Sequence, residues 1–124
     1  MKQIPRLCAW DLLKEGNNME KPLKKVKITV MKMARYDDLI AQFENPIEHA
    51  CDMQMGQVFY SENGEKPQNM CDSAWESMEC FVKTLAEGGG NFYDGWMKNP
   101  HSAMISCNDG FRPVSFLIEG EENG

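Results

Sequence analysis

Residues 103–119 read AMISCNDGFRPVSFLIE. Two runs that alternate in hydropathy flank Asp109-Gly110, a dipeptide suited to a two-residue turn because the primed turns need positive φ at their centre. Strands joined this closely are antiparallel, so the stretch decides the class of sheet. With Asp109 and Gly110 at the centre, Asn108 pairs with Phe111, Cys107 with Arg112, Ile105 with Val114 and Ala103 with Phe116. Alternation then puts Ala103, Ile105, Cys107, Arg112, Val114 and Phe116 on one face. Four of these are plain hydrophobes, which marks the core face and leaves Cys107 and Arg112 at its rim. Pro113 has no N–H for the ladder and belongs at an edge or an unpaired position.

The rest of the chain supplies partners for this hairpin. KKVKITVMKM, residues 24–33, alternates cleanly, with Val26, Ile28 and Val30 on one side and Lys25, Lys27 and Thr29 on the other. YDDLIAQFENP, residues 36–46, reads as a short helix with Leu39, Ile40 and Phe43 apolar and Pro46 as its stop. GQVFYSENGE, residues 56–65, reads as a second strand that ends at the Asn63-Gly64 turn.

CDSAWESMECFVKTLAEGGG, residues 71–90, is the best-specified element. Ser73 and Glu76 have the spacing of a capping box, in which each side chain takes an orphan backbone N–H at the helix start. Ala74, Trp75, Met78, Phe81, Val82 and Leu85 form an apolar stripe at helical spacing, and Gly88 to Gly90 end the helix. The aromatic loop NFYDGWMKNPHS follows at residues 91–102. The expected fold is therefore α+β: a small, mainly antiparallel sheet with two core helices and a C-terminal β-hairpin.

Residues 1–22 read as an N-terminal appendage. Pro5 suits a first helical turn, with Leu7, Trp10 and Leu13 at helical spacing, so a short N-terminal helix is expected there. Residues 23–119 form the single domain, and residues 120–124 are an acidic tail. A chain of 124 residues suits one domain with a modest core, and its 42% apolar and 26% charged shares are those of a globular protein. No apolar run approaches the roughly 18 residues of a membrane span. Charges at Arg6, Asp11, Lys14 and Glu15 interrupt any secretory apolar core, which leaves the cytoplasm as the expected location. A net charge of −6 argues against nucleic acid or an anionic membrane as partner. The one basic patch, from Lys21 to Arg35, reads as the solvated face of a strand.

The chemistry worth weighing centres on sulfur. Five cysteines, an odd number without an export signal, favour reduced thiols over a disulfide framework. Cys107 beside Arg112 has a cation that favours thiolate, and Cys71 stands at the positive end of a helix dipole. The bland alternatives are a small buried Cys107 with Arg112 snorkelling to a carboxylate, and a Cys71 stapled onto the first turn. Cys51 follows His49 by two residues. Cys51, Cys71, Cys107 and His49 or His101 could together form a tetrahedral site for zinc or iron, although no C-x-x-C pair supports it. Cys80 lies off the helix stripe and Cys8 in the appendage; neither suggests a role. Trp75, Trp96 and Arg112 are the candidates for an apolar pocket that grips an anion. The glycine-rich AEGGGN follows a helix, whereas a phosphate-cradling loop precedes one.

From Lys24 to Glu119 the chain resembles a family of small bacterial and archaeal proteins of about a hundred residues with no established activity. The resemblance rests on KVKITV at residues 25–30, Cys51 before Gly56-Gln57-Val58-Phe59, and Cys71 before Ala74-Trp75. It continues through Gly89-Gly90, Trp96-Met97-Lys98-Asn99-Pro100 and the closing stretch from Cys107 to Phe116. It implies a fold type and singles out Cys51, Cys71 and Cys107. Two positions depart from it: Ser106 replaces the first member of a cysteine doublet, and Asp52 replaces a proline. Three functions follow as expectations. The first is a non-catalytic binding or assembly module, with a homo-oligomer as one form. The second is a thiol-based metal or redox site, and the third is a small-molecule enzyme that uses Arg112.

Overall fold

The computed structural model describes residues 23–47 and 53–120. The elements are β1 (Val26–Met33), α1 (Asp37–Phe43), β2 (Val58–Ser61), α2 (Asp72–Ala86), β3 (Ser102–Ser106) and β4 (Val114–Gly120). The strands make one antiparallel sheet in the order β2-β1-β4-β3, so the first and last strands lie at its centre. The class expected from the sequence, α+β with an antiparallel sheet, is the one observed. The expected N-terminal helix and the acidic tail beyond Gly120 lie outside the described residues.

Alternation assigns the faces. Val26, Ile28 and Val30 on β1 are buried, as are Ala103 on β3 and Val114, Phe116 and Ile118 on β4. Helix α2 covers this face, packing on β1, β3 and β4 with Ala74, Trp75, Met78, Val82 and Leu85 buried along its stripe. Full burial of one such aliphatic side chain contributes about 1.5–3 kcal/mol, so the stripe and the sheet face are the main apolar stabilisation. Phe81, expected on the same stripe, is half-buried and packs edge-on against Phe92 with ring centroids 4.9 Å apart.

The end of α2 follows the sequence reading and its start does not. Gly88 adopts φ +92°, and the Gly88 and Gly89 N–H groups donate to the carbonyls of Leu85 and Thr84, both at 2.9 Å. This is the Schellman arrangement, which satisfies the last carbonyls of the helix. At the start, Cys71 is the N-cap, no side-chain cap bond forms, and Ser73 is already inside the first turn. The capping box is displaced because the helix begins two residues before it; the Cys71 carbonyl accepts the Trp75 N–H at 3.0 Å. Asp72, in that first turn, is ion-paired with Lys66.

Two further expectations are corrected. Helix α1 is not a core helix: it has no buried residue, and Phe43 is 71% exposed. Seven residues are too few to be held by a buried stripe, and its ends are instead tied to the β3–β4 loop. The Tyr36 N–H donates to the Phe111 carbonyl at 2.9 Å, and Glu44 pairs with Arg112. The second correction concerns register. Ile105 faces Phe116, Ala103 faces Ile118, and the Cys107 N–H donates to the Val114 carbonyl at 3.1 Å. The pairing is therefore shifted by two residues from a turn centred on Asp109-Gly110, and residues 107–113 form an open loop.

A shift of two leaves every side chain on its face, whereas a shift of one would have inverted the sheet. The cause lies in the loop chemistry. Asp109 Oδ1 accepts the N–H groups of Phe111 at 2.9 Å and Arg112 at 3.2 Å, which fixes an Asx-type turn. Pro113 has no N–H to extend the ladder, and its carbonyl turns instead to the Ala34 N–H at 2.9 Å. A type I′ turn needs positive φ at both central residues and a type II′ turn at the first, and neither Asp109 nor Gly110 has it. Asn63 and Gly64 do, at φ +59° and +73°, and the Glu65 N–H closes that turn on the Glu62 carbonyl at 3.1 Å.

Candidate functional site

The N-terminal turn of α2 and the β3–β4 loop meet over the rim of the core. Between them lies a pocket of about 100 Å³ lined by Met53, Cys71, Ser73, Ala74, Cys107, Asp109, Arg112, Val114 and Phe116. The Asn108 side-chain amide donates to the Ser73 carbonyl at 3.4 Å, a bond that joins the two walls. The apolar base comes from Ala74, Val114 and Phe116, all buried.

Three residues singled out in the sequence, Cys71, Cys107 and Arg112, are thus brought to one pocket. Cys71 and Cys107 carry free thiols and are half-buried against the core. The backbone holds each in place: Cys71 by its N-cap position on α2, Cys107 by its place as first residue of the loop. The Val114 N–H lies 3.5 Å from Cys107 Sγ, a contact within the range of weak N–H···S bonding. Cys80, by contrast, is disulfide-bonded, so the expectation that the cysteines stay reduced does not hold at that position.

Arg112 is already engaged within the chain. Its Nη1 lies 2.9 Å from Glu44 Oε1 and 3.1 Å from Oε2, and both side chains are largely shielded. Only the Oε2 contact has hydrogen-bond geometry; Oε1 is buried without a hydrogen-bond donor. The charge of Arg112 is therefore balanced from within the chain. The observed register removes the pairing of Arg112 with Cys107 across the hairpin, and Glu44 already engages the guanidinium that an anion-gripping role would use. Asp109 is similarly engaged, since its Oδ1 takes the two loop N–H groups. The pocket's uncommitted chemistry is that of two thiols and the Ser73 hydroxyl.

The remaining candidates fall elsewhere. Trp75 is buried in the core on α2 and does not line the pocket. Trp96 is 42% exposed in the aromatic loop, edge-on to Tyr93 with centroids 5.4 Å apart, and also does not line it. His49 and Cys51 lie outside the described residues, and with them the expected Cys₃His ligand set for zinc or iron. His101 belongs to another region, its Nδ1 3.4 Å from the Gly89 carbonyl. Among the described residues no group of three or more His, Cys, Asp or Glu side chains is placed to hold a metal ion.

Glu44 and Met53 were not singled out in the sequence. Glu44 lies 68 residues from Arg112, and no spacing connects them. Met53 is one of ten methionines, and nothing local distinguishes it. Asp109 had a signal, since aspartate before glycine favours a turn that uses its carboxylate. Among the described residues no helix is long and apolar enough to cross a membrane. Comparison of the chain with protein-family models, curated proteins and solved structures gives no significant match.

Proposed function

We propose that the protein is a small binding module whose working groups are the thiols of Cys71 and Cys107, and that their pocket receives a thiol-seeking ligand. The observation that carries this reading is the shared pocket: two free thiols, far apart in the chain, line one small cavity. The ion pair of Arg112 with Glu44 weighs against the enzyme reading, which needed an uncommitted guanidinium. Thiolate and thioether donors select soft ions, and Met53 adds a thioether to the same wall. A soft ion of low coordination number needs only the two thiolates. Zinc, which takes four ligands, would need Cys51 and His49 as well. Cys51 precedes Met53 by two residues, and the family resemblance singles it out with the other two thiols.

Titration of the untagged protein with silver(I) and with zinc(II), in a chloride-free buffer without reductant, tests the reading. Silver serves as a redox-inert stand-in for copper(I). The expected result is one tightly bound silver ion per chain, lost in Cys71→Ser and in Cys107→Ser and retained in Trp96→Ala. Zinc binding that is lost in Cys51→Ser as well would extend the site to three sulfurs. If neither metal binds stoichiometrically, and both thiols alkylate as slowly as in a closed core, the reading fails.

A further inference from the structure

Cys80 stands apart from the other described cysteines. It is half-buried on α2 and disulfide-bonded, whereas Cys71 and Cys107 are free. The chain has five cysteines, so the partner of Cys80 is Cys8 or Cys51. At 3.6 residues per turn Cys80 points away from the stripe of Ala74, Met78, Val82 and Leu85 that meets the sheet. Ser77 and Thr84 lie on its side of the helix, three residues before it and four after, and neither is exposed. The outer side of α2 thus presents small side chains around the cysteine, which lets a second segment approach closely.

We propose that Cys80 is bonded to Cys8, and that the bond holds the N-terminal segment, residues 1–22, along the outer side of α2. The argument is one of reach. The described chain begins at the C-terminal end of this helix, where the Lys24 N–H donates to the Ala86 carbonyl at 2.8 Å. Cys80 stands six residues before Ala86, about 9 Å back along the axis. The chain between Cys8 and Lys24 spans more than that even when wound as a helix. Cys51 is placed less well. It precedes Met53 by two residues, a reach of about 7 Å at full extension, and Met53 lines the pocket beside Ala74. From Ala74, Cys80 is about 9 Å further along α2 and on another side of it. The sequence adds a reason for contact. Ile4 and Leu12 stand four residues to either side of Cys8, which gives a helically wound segment an apolar side with the thiol in it.

Formation of the bond removes two protons and two electrons from the two thiols. A low-molecular-weight disulfide takes up both and leaves as two thiols. The tether therefore closes under oxidising conditions and opens in a reducing compartment. This inference is independent of what the thiol pocket receives, and it leaves Cys51 free to join Cys71 and Cys107 there.

The test is peptide mapping of the full chain after equilibration with oxidised glutathione. Free thiols are blocked with N-ethylmaleimide, and pepsin then cuts the chain at acid pH, where thiolate is scarce and exchange is slow. The expected product is one cross-linked pair of peptides containing Cys8 and Cys80, with Cys51, Cys71 and Cys107 blocked. Cys51→Ser should keep this pair and Cys8→Ser should lose it. Trypsin reads the docking: cleavage after Lys14 should be at least about tenfold faster in Cys8→Ser than in the oxidised wild type, and unchanged in Cys51→Ser. Circular dichroism confirms that both variants are folded. A pair joining Cys80 to Cys51 overturns the proposal, and so does a Cys80 recovered blocked or as a glutathione adduct. Equal cleavage of Cys8→Ser and oxidised wild type overturns the docking of the segment.

Discussion

The pair Arg112–Glu44 shows how one long-range contact redefines a residue. In sequence Arg112 is a cation beside a thiol; in the fold its charge is met by a carboxylate from the end of α1. Exposures of 21% and 16% put the pair between surface bridges, worth about 0–1 kcal/mol, and buried ones, whose breakage costs about 3–5 kcal/mol. Arg112→Met and Glu44→Gln should each lower unfolding free energy by about 1–2 kcal/mol, since each leaves a shielded charge unanswered. The double variant should lose less than the sum, which urea denaturation of the four proteins would read directly. Additive losses would mean that the two side chains do not act as a pair. Cys71, Cys107 and Arg112 were legible as chemical types, because thiol and guanidinium carry their properties with them. Glu44 was not, because a carboxylate acquires this role only when chain folding brings it to a cation.

At the scale of elements, the sequence was a reliable guide to faces and a poor one to ends. Period-two alternation in β1 and β4 and helical spacing in α2 survive any shift by a whole period, so the core face was readable before the register was known. Ends depend on which of several hydrogen-bond options a few polar residues take. Ser73-Glu76 and Asp109-Gly110 both matched good local patterns and both yielded to competitors: an earlier helix start, and an Asx turn with a proline behind it. The loop makes a sharp prediction. Gly110 has no positive φ and open space around its Cα, so Gly110→Ala should change stability by less than about 0.5 kcal/mol. Asp109→Ala removes the acceptor of two N–H groups and should cost about 1–2 kcal/mol. Gly88→Ala, at φ +92°, should cost about 1 kcal/mol. Thermal unfolding separates these outcomes. A large loss in Gly110→Ala would favour the tight two-residue turn after all.

At the scale of the whole molecule, the described residues form one sheet with a long helix packed on one side, and the two faces obey different rules. Neighbouring positions on the central strand β4 put this to the test. Ile118 is fully buried between Ile28 and Ala103 on the core face, whereas Leu117, one residue away, sits between Thr29 and Met104 on the other. Strand order itself, with β1 beside β4, had no counterpart in local spacing; it joins segments separated by most of the chain. The alternation nevertheless fixes which of two adjacent hydrophobes the fold depends on. Ile118→Asn buries an amide without partners and removes core contacts, so it should cost more than about 3 kcal/mol and leave little native protein. Leu117→Asn should cost less than about 1 kcal/mol in dilute solution, because its side chain packs only against open-face neighbours. Denaturant midpoints at low micromolar concentration would compare the two without a contribution from self-association. Equal losses would mean that both faces of the sheet are covered, and that the open face has an occupant within the chain.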